Sequence, residues 1–178
     1  MDSIPYYFSH ARTALKFGLL QLGIKRNDSI LIPDYFCDVV LQPLDELGIE
    51  YRYYSIDDDL TLRWAQLENL LDKKTKAIFM VHYFGQPQNI EKFQNFCKKH
   101  KLLLIEDNAH GHGGTYEGKF LGTFGDIGIS SPRKFLTKTY SGGILWLKHQ
   151  NLDVKIEIPE YPISNFKRLK KSISNTYP

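Results

Sequence analysis

The sequence predicts an α/β protein, a three-layer αβα sandwich around a mostly parallel sheet. Two observations support this prediction. Strand-like and helix-like segments alternate along the chain as far as residue 102, which is typical of parallel strands joined by helical crossovers. The apolar run 102–105 then ends in Glu106 and Asp107. In open α/β sheets, ligands bind just outside the carboxyl ends of such strands.

Apolar residues at helical spacing predict four helices, over residues 9–22, 39–47, 62–71 and 90–100. Ser9 is the predicted N-cap of the first helix, and Gly23 is its predicted stop. Gly18 lowers the helical propensity of this first segment. Pro43 favours a late start or a kink in the second helix, which is predicted to end at Gly48.

Apolar runs and alternating patterns predict seven strands, over residues 29–32, 50–56, 76–83, 102–105, 118–121, 127–130 and 143–147. The segment 50–56 alternates and is rich in tyrosine, which suits a strand. After Lys148 the periodicity is weak. We therefore predict one domain over residues 1–150, followed by a C-terminal tail over residues 151–178.

Charge and composition exclude several classes of protein. The net charge of +3 is too small to indicate a nucleic-acid partner, and no apolar run approaches the length of a membrane span. The N-terminus lacks the basic-then-apolar layout of a signal peptide. Cys37 and Cys97 have no paired spacing, so we predict reduced thiols and a cytoplasmic protein.

Two patterns allow a metal site, but neither is complete. The acids 57–59 lack the glycine turn and closing glutamate of a calcium loop, so a solvated loop is favoured. His110 and His112 have a ligand spacing, but no cysteine or third histidine is near in sequence. We predict no metal. His82 is interpreted as a satisfied histidine at a strand end.

One set of residues could hold pyridoxal phosphate (PLP). A lysine such as Lys134 can form a Schiff base with a carbonyl, and a buried carboxylate such as Asp107 can pair with a pyridine nitrogen. A helix N-terminus such as Ala11–Arg12 offers N–H groups to a phosphate, and Ser131 could add a hydroxyl. Spacing alone does not establish this cofactor.

Six motifs lie in order between residues 9 and 147: ARTAL at 11–15, IPDY at 32–35, VHYFG at 81–85, IEDNAH at 105–110, GTFGDIG at 122–128, and SPRK at 131–134 followed by GG at 142–143. The set resembles the DegT/DnrJ/EryC1/StrS aminotransferases, the sugar-nucleotide branch of fold-type I PLP enzymes. The matching family patterns are SGT, P-x-[FY], VHLYG, IEDAAQA or IEDAAHA, GSFGDIG, and S…K…GG. Each motif is weak alone, but their order and spacing are specific.

The resemblance implies a fold-type I large domain and a role for each matched residue. Lys134 would carry the covalent link to PLP and move protons. Asp107 would pair with the pyridinium nitrogen, and His110 would lie near the phenolic oxygen. The groups that would hold the phosphate are Ser131 and the backbone of Ala11 and Arg12. The family is dimeric, so a homodimer is implied in which each site is completed by the partner.

Two assignments have rivals. The family usually has about two more residues between GDIG and its lysine. Lys134 keeps the distance to the GG pair, but Lys138 is an alternative. Ser130 likewise competes with Ser131.

Two further features depart from the family pattern. Cys37 stands where the family often stacks an aromatic ring on the cofactor, and Tyr35 or Phe36 would have to substitute for it. Family members also continue into a smaller second domain, and we expect this chain to lack it. The expectation is a truncated or split aminotransferase, or a relative that has lost part of the activity.

The first functional hypothesis is a PLP-dependent aminotransferase acting on a nucleotide-linked keto-sugar in polysaccharide or lipopolysaccharide biosynthesis. An amino acid such as glutamate would be the amino donor. The alternative is a non-catalytic dimerisation or interaction module derived from the same family.

Overall fold

The computed structural model describes residues 3–136 and 139–148. In chain order the strands and α-helices are β1 (Ile4–Phe8), α1 (Ala11–Gln21), β2 (Ser29–Pro33), α2 (Leu41–Leu47), β3 (Glu50–Tyr54), β4 (Thr75–Val81), α3 (Ile90–His100), β5 (Leu103–Asn108), β6 (Thr115–Tyr116), β7 (Lys119–Phe120), β8 (Ile127–Ser130) and β9 (Gly143–Leu147). Short 3₁₀ helices lie at Asp38–Val40, Trp64–Leu70, Tyr83–Gly85 and Pro132–Lys134. The predicted tail, 151–178, lies outside the described residues.

Seven strands form one sheet in the order β1-β9-β8-β5-β4-β2-β3. The five strands from β8 to β3 are mutually parallel, and β9 runs antiparallel to both of its neighbours. Strands β6 and β7 form a separate hairpin. The mostly parallel sheet confirms the predicted fold class.

Helices cover both faces of the sheet, because alternate residues of the central strands point to opposite sides. On β4, Phe79 joins the core under α1 and α2, whereas Ile78 and Met80 join the core under α3. Helix α1 lies against β8 and β9 at Gly18, where a Cβ would come within 2.8 Å of the methyl groups of Ile127 and Leu145. The glycine that lowers helical propensity is therefore what allows close packing.

Several predicted boundaries were wrong, because long-range pairing decides them. Strand β1 was not predicted, since its pairing is with β9 at the far end of the chain. Ser9 does not cap α1: its carbonyl accepts the Gly142 N–H at 2.7 Å, and His10 occupies the cap position without a side-chain cap. The strand predicted over 102–105 runs to Asn108, because β4 and β8 pair with it on both sides.

The predicted helix 62–71 is instead a 3₁₀ helix over Trp64–Leu70. Leu62 pairs with Ile56 in an isolated bridge, which keeps the preceding chain extended. The predicted helix 39–47 is divided into a 3₁₀ turn and α2, with Pro43 in the first turn of α2. The predicted strand 118–121 is the second half of the β6–β7 hairpin.

Two predicted features have direct structural counterparts. Cys37 and Cys97 are both free thiols, as predicted. Within the described ranges, every helix is too short or too polar to cross a membrane.

Candidate active site

A cavity of about 370 Å³ opens at the carboxyl ends of the parallel strands. Strands β4, β5 and β8 end at its floor, and the N-terminus of α1 and the segment after β2 form its walls. The six residues singled out from the sequence all line it: Ala11, Arg12, Asp107, His110, Ser131 and Lys134. The fold therefore brings together residues from three separate motifs.

Asp107 is the carboxylate of the cavity floor. It lies in β5 between Val81 of β4 and Ile129 of β8, and it is only 5% exposed. Oδ1 accepts the Ala109 N–H at 2.8 Å, and no described residue donates to Oδ2. Burial raises the pKa of Asp107, while the Ala109 N–H and the nearby charge of Lys134 act in the opposite direction. A cationic ligand atom at Oδ2 would relieve this burial cost.

Glu106 precedes Asp107 in the strand and therefore points to the opposite face of the sheet. It is completely buried, and four donors surround its carboxylate. Oε1 accepts the Gly122 N–H at 2.6 Å, and Oε2 accepts the N–H groups of Phe124 and Gly125 at 2.6 and 2.9 Å. Glu106 thus binds the backbone of the GTFGDIG segment. Asp107 is the acid of this pair that lines the cavity.

His82 supplies the fourth donor to Glu106. The Gln88 N–H donates to Nδ1 of His82 at 3.1 Å, so Nδ1 carries no proton. The proton is therefore on Nε2, which lies 2.8 Å from Oε1 of Glu106 and donates to it. Both ring nitrogens are satisfied, which confirms the interpretation of His82 as a structural histidine.

His110 lies on the cavity wall, where its ring stacks on Phe84 with centroids 5.9 Å apart and planes at 17°. Nδ1 is buried and has no hydrogen-bond partner among the described residues. Burial, and then the charge of Lys134, lower the pKa of His110. The imidazole is accordingly neutral near pH 7, and it can donate from one nitrogen and accept at the other.

Ser131, not Ser130, faces the cavity. Ser130 lies in β8, and its Oγ is 3.4 Å from the position of a Cβ on Gly122, on the other side of the sheet. Ser131 is 2% exposed and lines the cavity, so its hydroxyl is a polar group at the cavity wall.

The N-terminus of α1 opens onto the same cavity through Ala11 and Arg12. The first turn contains no acidic residue and receives no side-chain cap. A Cβ on Gly143 would overlap the backbone of His10 and Ala11, so this glycine allows β9 to run directly beside the helix start. The GG motif thus positions the N–H groups that suit an anion.

Lys134 is the last residue of the 3₁₀ turn Pro132–Lys134, which directly follows the buried Ser131. Its side chain is exposed at the cavity wall. Its charge influences both Asp107 and His110, so the three groups share one electrostatic environment. The rival Lys138 lies outside the described residues.

The segment after β2 forms the wall where an aromatic platform is expected. Tyr35, Phe36 and Cys37 all line the cavity. The buried Tyr83 donates its hydroxyl to the Tyr35 carbonyl at 2.7 Å and so fixes this segment against the end of β4. Phe36 packs edge-on against Phe79 of the core at 5.2 Å.

Residues 3–136 and 139–148 contain no group of three metal-ligating side chains. Sequence reasoning passed over two residues of the site region. Phe84 was quoted only as a motif letter, and Asn108 was not considered. The available signal for Asn108 was a polar residue at the end of a buried strand. The signal for Phe84 was an aromatic residue directly before a glycine.

Comparisons with known proteins show the family and the fold of this chain. The profile of the DegT/DnrJ/EryC1/StrS aminotransferase family matches residues 7–172. A GDP-perosamine synthase from Vibrio cholerae is 30% identical over 150 residues, which are 84% of this chain and 40% of that protein. This chain spans between 34% and 41% of the length of three GDP-perosamine synthases that it matches.

Solved structures show the same fold. An aminotransferase from Psychrobacter cryohalolentis aligns with a TM-score of 0.75 and 26% identity, over 82% of this chain and 38% of that one. A GDP-4-keto-6-deoxy-D-mannose-3-dehydratase from E. coli, with bound hydrated PLP, aligns with a TM-score of 0.71 and 24% identity, over 83% of this chain and 40% of that one. This chain belongs to the DegT/DnrJ/EryC1/StrS aminotransferase family.

Proposed function

We propose that this chain, through residues 1–150, supplies the large-domain part of a PLP-dependent aminotransferase. Its substrate would be a nucleotide-linked keto-sugar in polysaccharide or lipopolysaccharide biosynthesis, and its amino donor an amino acid such as glutamate. The convergence of Lys134, Asp107, His110, Ser131 and the start of α1 on one cavity carries this proposal. PLP is the cofactor of the family, and the similarity to GDP-perosamine synthases supports the substrate class.

The cavity fits PLP because its polar groups match the groups of the cofactor. Asp107, His110 and Ser131 all line it, and His110 Nδ1 has no hydrogen-bond partner among the described residues. They offer an anion, a neutral nitrogen and a hydroxyl, and the uncapped start of α1 adds N–H groups. A ligand with a basic ring nitrogen, a ring oxygen and a phosphate would satisfy all of them.

Bound PLP would supply a carbonyl for the incoming amino group and an electron-withdrawing ring. Lys134 would hold it through its amine, Asp107 would pair with its ring nitrogen, and Ser131 with Ala11 and Arg12 would bind its phosphate. Asp107 would keep a proton on that nitrogen, because a buried anion beside the nitrogen favours its protonated, cationic form. Lys134, exposed at the cavity wall, would accept and return a proton at Nζ.

Cys37 makes this site different from the usual family pattern. A thiol offers no ring for stacking, so we assign the platform to Tyr35, which lines the same wall. The Tyr83 hydroxyl supports this assignment, since it holds the Tyr35 backbone in place.

We further propose a cytoplasmic homodimer. Tyr35, Val39 and Phe84 expose apolar surface and also line the cavity, so a second copy covering this face would close the site. Sedimentation of the purified chain would measure the oligomeric state, and a monomer at working concentration would contradict this part of the proposal.

Absorbance of the protein with PLP, before and after borohydride, tests the cofactor. We expect wild type to retain PLP covalently after reduction, and Lys134→Ala to lose it. Lys119→Ala, which removes a lysine of the β6–β7 hairpin, is the control and should behave like wild type. Loss in Lys138→Ala instead would move the attachment to that lysine. No retention in any variant would contradict the cofactor and favour the interaction-module alternative.

A further inference from the structure

Phe84 combines two features that are unusual for a large apolar residue. Its backbone is left-handed, with φ 52° and ψ 24°, which is unusual for a residue other than glycine. Its ring is also 67% exposed, at the wall of the cavity. Strained conformations persist where the surrounding structure imposes them, and they cluster at functional sites.

The surrounding structure imposes this conformation through a close approach of two turns. A Cβ on Gly111 would come 2.6 Å from the Cα of Gly85, so both glycines are needed for the backbones to touch. The Asn108 amide donates to the carbonyls of Gly111 and Leu121 at 3.0 and 2.9 Å. Asn108 thereby fixes the turn that follows β5, and Gly111 of that turn touches Gly85, the residue after Phe84.

This arrangement places the Phe84 ring against the His110 ring. The rings are nearly parallel, at 17°, with centroids 5.9 Å apart, so Phe84 packs against the imidazole in an offset stack. Nδ1 of His110 is buried and has no partner among the described residues, so no hydrogen bond to that nitrogen orients the ring there. The packing of Phe84 is therefore a contact that can orient the His110 ring on the cavity wall.

We propose that Phe84 is a positioning residue: its ring fixes the His110 imidazole on the cavity wall and, through that imidazole, strengthens binding of the cofactor. The first half of the proposal, that Phe84 fixes His110, concerns the ligand-free protein. The second half, that this strengthens cofactor binding, rests on the proposed function. The effect of Phe84 on cofactor binding must then pass through His110.

Proton NMR of the ligand-free protein tests the first half. The Phe84 ring current should change the chemical shifts of the His110 ring protons in wild type. Phe84→Leu should remove this shift, and Phe84→Tyr should retain it. Phe120→Leu is the matched control, since it removes an exposed phenylalanine stacked on Trp146 at 6.5 Å, away from the cavity. Unchanged His110 resonances in Phe84→Leu would overturn the proposal.

A double-mutant cycle on the PLP dissociation constant tests the second half. Phe84→Leu should weaken PLP binding about tenfold, the value of one hydrogen bond. In a His110→Ala background the same substitution should have no further effect. An equal loss in both backgrounds would mean that Phe84 acts on the ligand or on the fold directly, and would overturn the positioning role.

Melting temperatures of all the variants accompany both measurements. Similar values in Phe84→Leu and Phe84→Tyr would exclude a general loss of structure as the cause of weaker binding. If wild type fails to bind PLP, the proposed function fails, whereas the ring-current result still decides whether Phe84 positions His110.

Discussion

Asp107 lowers the stability of the ligand-free protein at neutral pH. Burial raises its pKa in the folded state, so the folded state binds a proton more tightly than the unfolded chain does. The stability associated with that proton is complete below the unfolded pKa of about 3.9 and is lost as pH rises through the raised folded pKa. The loss of folding free energy caused by the buried charge persists at all higher pH values.

Asp107→Asn should therefore stabilise the ligand-free protein at pH 7 and have little effect at the acidic end of the range. The amide oxygen can still accept the Ala109 N–H, so the local structure is kept. Urea denaturation at a series of pH values measures the difference, which should grow as pH rises. Asp126→Asn, at a carboxylate that accepts the Leu104 N–H, should bring no such gain.

The same substitution should weaken PLP binding roughly 10- to 150-fold, the equivalent of about 1.5–3 kcal/mol for a hydrogen bond to a charged group. Spectroscopic titration with PLP gives the dissociation constant. An Asp107→Asn protein that is more stable and also binds PLP as tightly as wild type would contradict the role proposed for this carboxylate.

The glycines near the site differ in which atoms an added Cβ would contact. At Gly18 an added Cβ meets the ends of two flexible side chains, Ile127 and Leu145. At Gly143 it would overlap the backbone of His10 and Ala11. Backbone cannot move aside as a side chain can, because its hydrogen bonds fix it in the sheet and the helix.

Gly143→Ala should accordingly destabilise the protein by several kcal/mol and displace the start of α1. Gly18→Ala should lie within about 1 kcal/mol of wild type, because the gain in helix propensity offsets the crowding. Thermal unfolding of both variants gives the comparison. Equal melting temperatures would show that the approach of β9 to α1 is not tight.

At the scale of elements, the sequence predicted what depends on local periodicity. Helix α3 and strands β8 and β9 were predicted with the boundaries that the structure has. Strand β1 was missed, because only pairing with a distant strand makes it. The 3₁₀ helix over Trp64–Leu70 was assigned as an α-helix, because the apolar spacing does not encode its tighter turn.

At the scale of the whole molecule, the resemblance located a cavity that no local pattern could define. The lining residues come from motifs far apart in the sequence, and only the sheet topology brings them to one edge. The local sequence pattern could not show which of Glu106 and Asp107 faces the cavity. Two adjacent acids are equivalent until the register of β5 assigns them to opposite faces.

Glu106 connects parts of the molecule that are distant in sequence. It lies in β5, accepts from His82 after β4, and accepts three backbone N–H groups from the segment before β8. In Glu106→Gln the amide nitrogen would face N–H donors and leave two of them without an acceptor. At about 1–3 kcal/mol for each buried group, we expect a loss of about 2–6 kcal/mol.

This loss should affect the whole sheet as one cooperative unit, because Glu106 lies at its centre. The chain has two tryptophans: Trp64 packs on Phe93 of α3, and Trp146 lies in β9. Urea unfolding of Glu106→Gln, followed by each tryptophan after replacing the other with phenylalanine, should give the same lowered midpoint. Glu68→Gln, at an exposed ion pair with Lys99, should stay within about 1 kcal/mol of wild type. If only Trp146 reported the lower midpoint, Glu106 would hold one loop rather than join the two halves of the sheet.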